Sequence, residues 1–313
     1  MHLKKDILCL SSLENVPDIK YDLEFLGNLT YSPESTKKEV IDFVEKHIGC
    51  VIFCSPNMMT YRLDEDILSK NISLISTVST GTDHIDLGLC DNLGIKVVSL
   101  KDDIEFLNKI SSTAEMAFGL MLSVIRNIPS AFDAVKNHIW RQVEFTGYQL
   151  NNLTIGIVGY GRLGTKMCRY CDAFGMDVVI CDPYNDYSVR QKYSLKEISE
   201  RCDIVSLHVH LNDDTKYMID KDFFNNRVKY LVNTSRGSIV NEKDVIWALE
   251  NNLLLGYATD VIEDEFGDIE NSELIKRSED LNIIITPHIG GTTFEAHEKA
   301  YRYSANRLRD IIN

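Results

Sequence analysis

Apolar residues recur along this chain in two rhythms. Short unbroken runs suit buried strands, and longer stretches repeat with the period of a helix. Asp6–Leu10 reads as a strand. Ser35–Lys46 reads as an amphipathic helix. Val51–Cys54, Leu74–Val78 and Ile95–Ser99 read as further strands, with a short helix over Asp64–Lys70. Such alternation predicts a parallel sheet with helices on both faces.

A second series follows. Ser111–Asn127 is apolar almost all round, with Ala114, Ala117, Phe118, Met121, Leu122 and Ile125 at helical spacing and Met116, Leu120 and Val124 between them. Such a helix needs cover on every side, between domains or in a subunit interface. Ser112-Thr-Ala-Glu115 has capping-box spacing, and Pro129 is read as the stop. Strands are predicted at Ile155–Val158, Asp177–Asp182, Ile204–Val209, Val228–Val232, Leu255–Asp260 and Asn282–Thr286. Helices are predicted over Arg162–Phe174, from the capping box Ser194–Glu197, over Asn241–Glu250, and from Thr292 to Ile312. There is no internal repeat and no low-complexity tract.

With 313 residues there is room for two domains of ordinary size. A net charge of −14 argues against a nucleic-acid footprint and against anionic membrane surfaces. No run approaches the ~18–20 apolar residues of a membrane span. Met1-His-Leu-Lys-Lys-Asp6 lacks the apolar core of a signal peptide, so a cytoplasmic location is expected. Most of the eight cysteines lie within apolar patterns and are expected to pack as reduced core residues. Cys168-x-x-Cys171 lacks a second pair at zinc spacing, and His208-Val-His210 lacks nearby carboxylates, so no metal is expected.

The run Leu153-Thr-Ile-Gly-Ile-Val-Gly159-Tyr-Gly161-Arg-Leu-Gly164 carries more information than any other. Three glycines at this spacing occur by chance, but here an apolar strand precedes them and a helix follows. Gly159 would make the tight turn, Gly161 would let backbone approach a pyrophosphate, and Gly164 would let the helix lie close to the sheet. The N-terminal N–H groups of that helix, from Arg162 and Leu163, would face the phosphates. Gly175 would cap its far end. Asp182 closes the next strand, where a carboxylate accepts from ribose hydroxyls and repels a 2′-phosphate. The pattern therefore predicts a dinucleotide-binding unit that favours NAD.

Three polar clusters then fall at predicted strand ends: Asn233-Thr-Ser-Arg236-Gly237, Asp260 through Glu265, and Pro287-His288-Ile-Gly290-Gly291. Ligands of open α/β sheets bind at those ends. Arg236 can hold a carboxylate in a bidentate contact and polarise the neighbouring carbonyl. His288 can exchange a proton with the carbonyl oxygen as hydride arrives or leaves. Glu265 beside it would orient the ring and favour its protonated form. Taken singly, each has a bland reading: Arg236 as a cap on neighbouring carbonyls, Glu265 in an acidic run with Glu263 and Asp264, His288 as a satisfied loop histidine.

These residues, with Thr80-Gly-Thr-Asp-His-Ile-Asp86, Thr113-Ala-Glu115 and Asp260-Val261, resemble the D-isomer-specific 2-hydroxyacid dehydrogenase family. The motifs run in the family's order from about Val78 to Ala296; residues 1–75 agree only in strand–helix pattern. The resemblance implies two Rossmann-like domains with a cleft between them. Residues 1–100 plus 291–313 would form a flavodoxin-like substrate domain, and residues 101–290 an NAD-binding doubly wound parallel sheet. It implies catalytic roles for Arg236, Glu265 and His288, and substrate-carboxylate contacts from the backbone of Ser79, Thr80 and Gly81. Thr80, Arg162, Leu163, Asp182, Thr234, Ser235 and Asp260 are implied at NAD, with Asp260 near the nicotinamide amide and Gly290 and Gly291 in the same loop system. A homodimer through the NAD-binding domain is implied as well, and would account for the apolar helix at 111–127.

His210 and Phe266 stand where the family commonly has proline, and Asn241 where Asp is frequent. Pro287–Ala296 is most similar to phosphoglycerate dehydrogenases, but Arg62 is the only cation in the loop after Cys54, and no regulatory extension is expected after the last helix. The substrate is therefore expected to be a small D-2-hydroxy or 2-oxo acid, with a 3-phosphoglycerate-like one in that range. Two other readings stand beside this one. One is a non-catalytic NAD(H)-sensing binding protein on the same scaffold, against which the complete Arg, Glu and His set argues. The other is an oxidoreductase of formate or phosphite, whose relatives commonly carry Gln at the Glu265 position.

Overall fold

The computed structural model describes residues 4–140, 143–185 and 190–312. They divide into two compact units, one formed by residues 1–110 with 292–313 and the other by residues 111–291.

The first unit holds a five-stranded parallel sheet, in the order β2-β1-β3-β4-β5. Its elements are β1 (Lys5–Cys9), α1 (Asp18–Leu26), β2 (Gly27–Tyr31), α2 (Lys37–Lys46), β3 (Cys50–Cys54), β4 (Ile72–Thr77), α3 (Leu87–Leu93), β5 (Lys96–Val98) and α4 (Ile104–Leu107). This is the flavodoxin-like order. β3 is buried throughout because both faces of the sheet are covered. One core layer joins Ile7, Val51, Phe53 and Leu74 to α1 and to the C-terminal helix Phe294–Ile312. The other joins Leu8, Ile52 and Ile75 to Val40 and Val44 of α2. Leu107, in the segment 101–110, belongs to this first core.

The capping box of α2 is Thr36 with Glu39, whose carboxylate accepts the Thr36 N–H at 2.8 Å. The short helix expected over Asp64–Lys70 is a turn instead, with Leu68 N–H bonded to Asp64 O at 2.8 Å. Leu63 is pinned to Ile85 by a β-bridge, and Ile67 and Leu68 point into the core.

The second unit holds a six-stranded parallel sheet, in the order β11-β10-β9-β8-β6-β7. It contains α5 (Ser112–Ile125), α6 (Ile128–Lys136), β6 (Thr154–Val158), α7 (Arg162–Ala173), β7 (Asp177–Cys181), α8 (Leu195–Arg201), β8 (Ile204–Leu207), β9 (Tyr230–Asn233), α9 (Glu242–Glu250), β10 (Gly256–Thr259), α10 (Glu273–Arg277) and β11 (Ile283–Ile285). A further parallel bridge, Ile180 to Lys192, adds one residue pair beyond β7. The strand order reverses between β6 and β8, which is where such sheets bind ligands.

α5 is covered within this unit. Ala117, Leu120, Met121, Val124 and Ile125 pack on β9, β10 and α7, with Met116, Phe118 and Leu122 half-buried at the margin. Its expected capping box is not formed: Ser111 is the N-cap residue, and its hydroxyl bonds Glu115. α5 ends before Pro129, at Ile125, where Arg126 is the C-cap residue and Asn127 turns left-handed with φ 52°; Pro129 sits instead in the first turn of α6, where its missing N–H costs nothing. All eight cysteines are buried free thiols, and burial pushes the Cys168 thiol up to about 12.

Candidate active site

The glycine turn is built as its spacing implied. Gly159 has φ +91°, and a Cβ there would lie 2.4 Å from His208 O. At Gly164 a Cβ would lie 2.0 Å from Gly159 O, so the first turn of α7 rests on the loop backbone. Gly161 differs, because a Cβ there would meet nothing within 4 Å. The fold itself does not require glycine at 161, but a ligand pressed against the backbone would. α7 begins at Arg162, and its N-cap residue Gly161 brings no side-chain cap, so this helix start is of the kind that suits an anion. Gly175 ends it with φ +71°.

Asp182 follows β7. Its carboxylate accepts the N–H of Tyr160 at 2.8 Å and of Tyr184 at 2.9 Å, which fixes it beside the glycine turn. Thr234 is buried with a hydroxyl that has no hydrogen-bond partner among the described residues. Ser235 is held by Leu207 O at 2.8 Å. An open glycine, an uncapped helix, a fixed carboxylate and a buried unpartnered hydroxyl together fit an extended dinucleotide.

The three polar clusters sit at the C-terminal ends of β9, β10 and β11, which are neighbours in the sheet. Arg236 is half-buried; its guanidinium donates to Ser235 O at 2.6 Å, and its own carbonyl accepts from Asn233 Nδ2 at 2.9 Å. Glu265 Oε2 lies 2.7 Å from His288 Nδ1, both side chains being half-buried. His288 has φ 52°, a left-handed conformation uncommon for its residue type. Its N–H is bonded to Asp260 O and to Thr286 O, each at 2.9 Å, and these bonds hold it there.

Asp260 anchors this loop. Its carboxylate accepts Ile289 N–H at 2.9 Å, Gly290 N–H at 2.6 Å and the Thr286 hydroxyl at 2.5 Å. The side chain expected at the nicotinamide amide is thus 2% exposed and spans two strand ends. Gly290 lies against it, whereas Gly291 has open space around it. Ser79, Thr80 and Gly81 follow β4 in the first unit.

Residues 118–290 match the D-isomer specific 2-hydroxyacid dehydrogenase, NAD binding domain. A putative 2-hydroxyacid dehydrogenase of Staphylococcus haemolyticus is 31% identical over 277 residues, covering 82% of this chain and 81% of that one. The chain belongs to the D-isomer specific 2-hydroxyacid dehydrogenase family. D-3-phosphoglycerate dehydrogenase of Methanocaldococcus jannaschii is 29% identical over 300 residues, covering 93% of this chain and 54% of that one. The chain spans about half the length of the curated phosphoglycerate dehydrogenases it matches. A D-lactate dehydrogenase of Aquifex aeolicus, solved with NAD and lactic acid, superposes with a TM-score of 0.80 at 27% identity, covering 98% of this chain and 95% of that one. The family's NAD-binding domain is therefore the second unit, with the glycine turn at its centre.

Two contacts that hold these loops carried no sequence signal. Gly237 packs directly on the backbone of Ile262 and Glu263. Glu242 accepts the Glu263 N–H at 2.6 Å, so it ties the loop carrying Glu265 to the start of α9. Asn241, where the family often has Asp, caps α9 through Lys243 and Asp244 N–H, so this cap survives the exchange. His208 is half-buried, and desolvation pulls its ring down to about 4.

Proposed function

We propose that this chain is an NAD-dependent oxidoreductase acting on the C2 of a small D-2-hydroxy acid or its 2-oxo acid. The observation that carries the reading is the His288–Glu265 hydrogen bond of 2.7 Å at the end of the sheet that bears Arg236. Bound NADH supplies the hydride that reaches C2, and NAD accepts it in the reverse direction. Arg236 would grip the substrate carboxylate through its planar fork and polarise the neighbouring carbonyl. With Nδ1 engaged by Glu265, His288 offers Nε2 to the substrate oxygen, donating a proton as the hydroxy acid forms and taking it back on oxidation. Glu265 fixes the ring's orientation and stabilises its charged form. The backbone N–H groups of Ser79, Thr80 and Gly81 belong to the same reading as donors to the carboxylate.

Gly159, Gly161, Arg162, Leu163 and Gly164 would carry the pyrophosphate, and Asp182 the adenosine ribose. Thr80, Thr234, Ser235, Asp260, Gly290 and Gly291 would line the rest of the cofactor. Arg162 is half-buried, and burial lowers its guanidinium from its ordinary value, a cost that a phosphate would offset.

A homodimer through the second unit is part of the proposal. α6 and the segment after it expose Ile128, Phe132, Val135, Ile139, Trp140 and Val143, with Trp140 at 76% and Val143 at 86%. A patch of this kind marks an interaction surface. A cytoplasmic location fits eight free buried thiols; no described helix is long and apolar enough to cross a membrane.

The test is NADH oxidation with a panel of 2-oxo acids, some bearing a phosphate. Turnover of at least one is expected, and loss of that turnover in H288A is the second requirement. NADH binding without turnover of any member would favour a nucleotide-sensing protein instead.

A further inference from the structure

In the first unit, β4 ends at Thr77 and the chain turns through Ser79–Gly81 before the bridge at Ile85. Three polar side chains follow one another along this turn, and elementary donor counting sets their direction. Ser79 Oγ lies 2.7 Å from Gly81 O, and a carbonyl can only accept, so Ser79 directs its single proton there. Ser79 Oγ also lies 2.8 Å from Thr77 Oγ1. In that contact Ser79 must accept and Thr77 must donate. Thr77 Oγ1 lies 2.9 Å from His84 Nε2. With its own proton committed, Thr77 accepts here, and His84 Nε2 must carry hydrogen. Cys54 Sγ stands 4.0 Å from the same nitrogen and competes weakly.

The chain His84 to Thr77 to Ser79 to Gly81 O is thus one-directional. Its inner members are buried, with His84 at 1% and Thr77 at 0% exposure. Out of water such bonds strengthen one another, and a missing donor leaves buried acceptors unpaired. The chain ends on a backbone segment with unmet capacity. Among the described residues, none accepts from the backbone N–H of Ser79, Thr80 or Gly81. Consecutive N–H groups of this kind suit an anion when the backbone that carries them is fixed.

We propose that His84, acting through Thr77 and Ser79, is a positioning residue that fixes the Ser79–Gly81 backbone for the substrate carboxylate. This rests on the reading that this backbone receives the carboxylate. His84 does not touch the reacting atoms, so its effect belongs in substrate affinity rather than in the proton-transfer step.

The test compares H84L, H84Q, S79A and the double variant, with glyoxylate as substrate because it offers little beyond carboxylate and carbonyl. H84L should raise KM for glyoxylate about tenfold with kcat changed less than about threefold, the scale of one lost buried hydrogen bond. The amide nitrogen of H84Q reaches the place of Nε2 and should restore KM to within about threefold. S79A should match H84L, and H84L/S79A should be no worse than either, because both cut one chain. NADH affinity, read by fluorescence titration, should stay constant in all four. The ¹⁵N spectrum of the wild-type imidazoles should show hydrogen on Nε2 of His84. An unchanged KM in H84L, additive losses in the double variant, or hydrogen confined to Nδ1 would each overturn the relay. S79A carries the same test if H84L does not fold. Oxamate, added to ¹⁵N-labelled protein with NADH, separates the two layers. Shifting Ser79–Gly81 amides with an unchanged KM in H84L reject the relay alone, whereas silent amides reject the carboxylate reading and the relay with it.

Discussion

Replacing Gly237 with alanine tests whether Arg236 and Glu265 work as one constellation. The added Cβ would lie 2.0 Å from Ile262 C, 2.1 Å from Ile262 O and 2.3 Å from Glu263 N. Ordinary contact begins at 3.4 Å, so the nearest atom is about 1.4 Å too close. All three neighbours are backbone, and no side chain can swing away. One loop carries Arg236 immediately before Gly237, and the other carries Glu265 two residues beyond Glu263. The methyl group must therefore part the loops by about 1 Å, and a displacement of that size costs on the order of 10² in rate. Overpacking adds roughly 1–3 kcal/mol of lost stability. The assay is steady-state reduction of the preferred 2-oxo acid beside NADH titration and thermal unfolding. G237A should lose about 10²-fold in kcat/KM and still bind NADH, because the glycine turn lies at β6, on the other side of β8 and β9. Wild-type kcat/KM in a folded G237A would refute the idea that the spacing of these loops sets activity.

R236K keeps the charge but loses the fork, so strongly impaired use of the 2-oxo acid with nearly unchanged NADH affinity is expected; wild-type turnover would remove Arg236 from the site. H288A should lower turnover by roughly 10²–10⁴-fold with an unchanged melting curve, and a smaller loss would assign the proton to another group. Asp182 should impose a preference for NADH over NADPH, since each lost charged hydrogen bond is worth ~1.5–3 kcal/mol; equal affinities by titration would contradict it. Burial raises the Glu242 carboxyl to about 7, with Glu263 beside it adding to the rise. A raised carboxyl stabilises the fold fully below its unfolded value, and that contribution fades as pH climbs through about 7. E242Q cannot ionise, so its melting temperature should fall less than wild type between pH 5 and 8, and parallel curves would discount the shift.

Much of this protein could be read from its residues alone because the signals are local. β3 and β6 are short apolar runs, and such runs pack between helix layers whatever lies elsewhere in the chain. Gly159, Gly164 and Gly175 each answer a need within a few residues: a left-handed turn, a helix start laid on a loop, a helix end. The capping box at Ser194 closes between residues three apart. The clusters at Arg236, Glu265 and His288 each follow an apolar run, so their place at strand ends was legible too. Weaker patterns hid their elements. β2 alternates with only Gly27 buried, as an edge strand does, and α1 buries three residues of nine, so neither rises above its polar surroundings. Pro129 reads as a terminator because sequence shows a missing N–H but not that the next helix begins there. The remaining features belong to tertiary structure, because they join backbone atoms of separate loops. Strand order makes neighbours of β9, β10 and β11 and so brings Glu265 to His288 across 23 residues. Asp260 becomes the anchor of the His288 loop only when two strand ends lie side by side. The direction of the His84 relay follows from distances between hydroxyls, a ring nitrogen and a carbonyl, and residue order does not encode those distances.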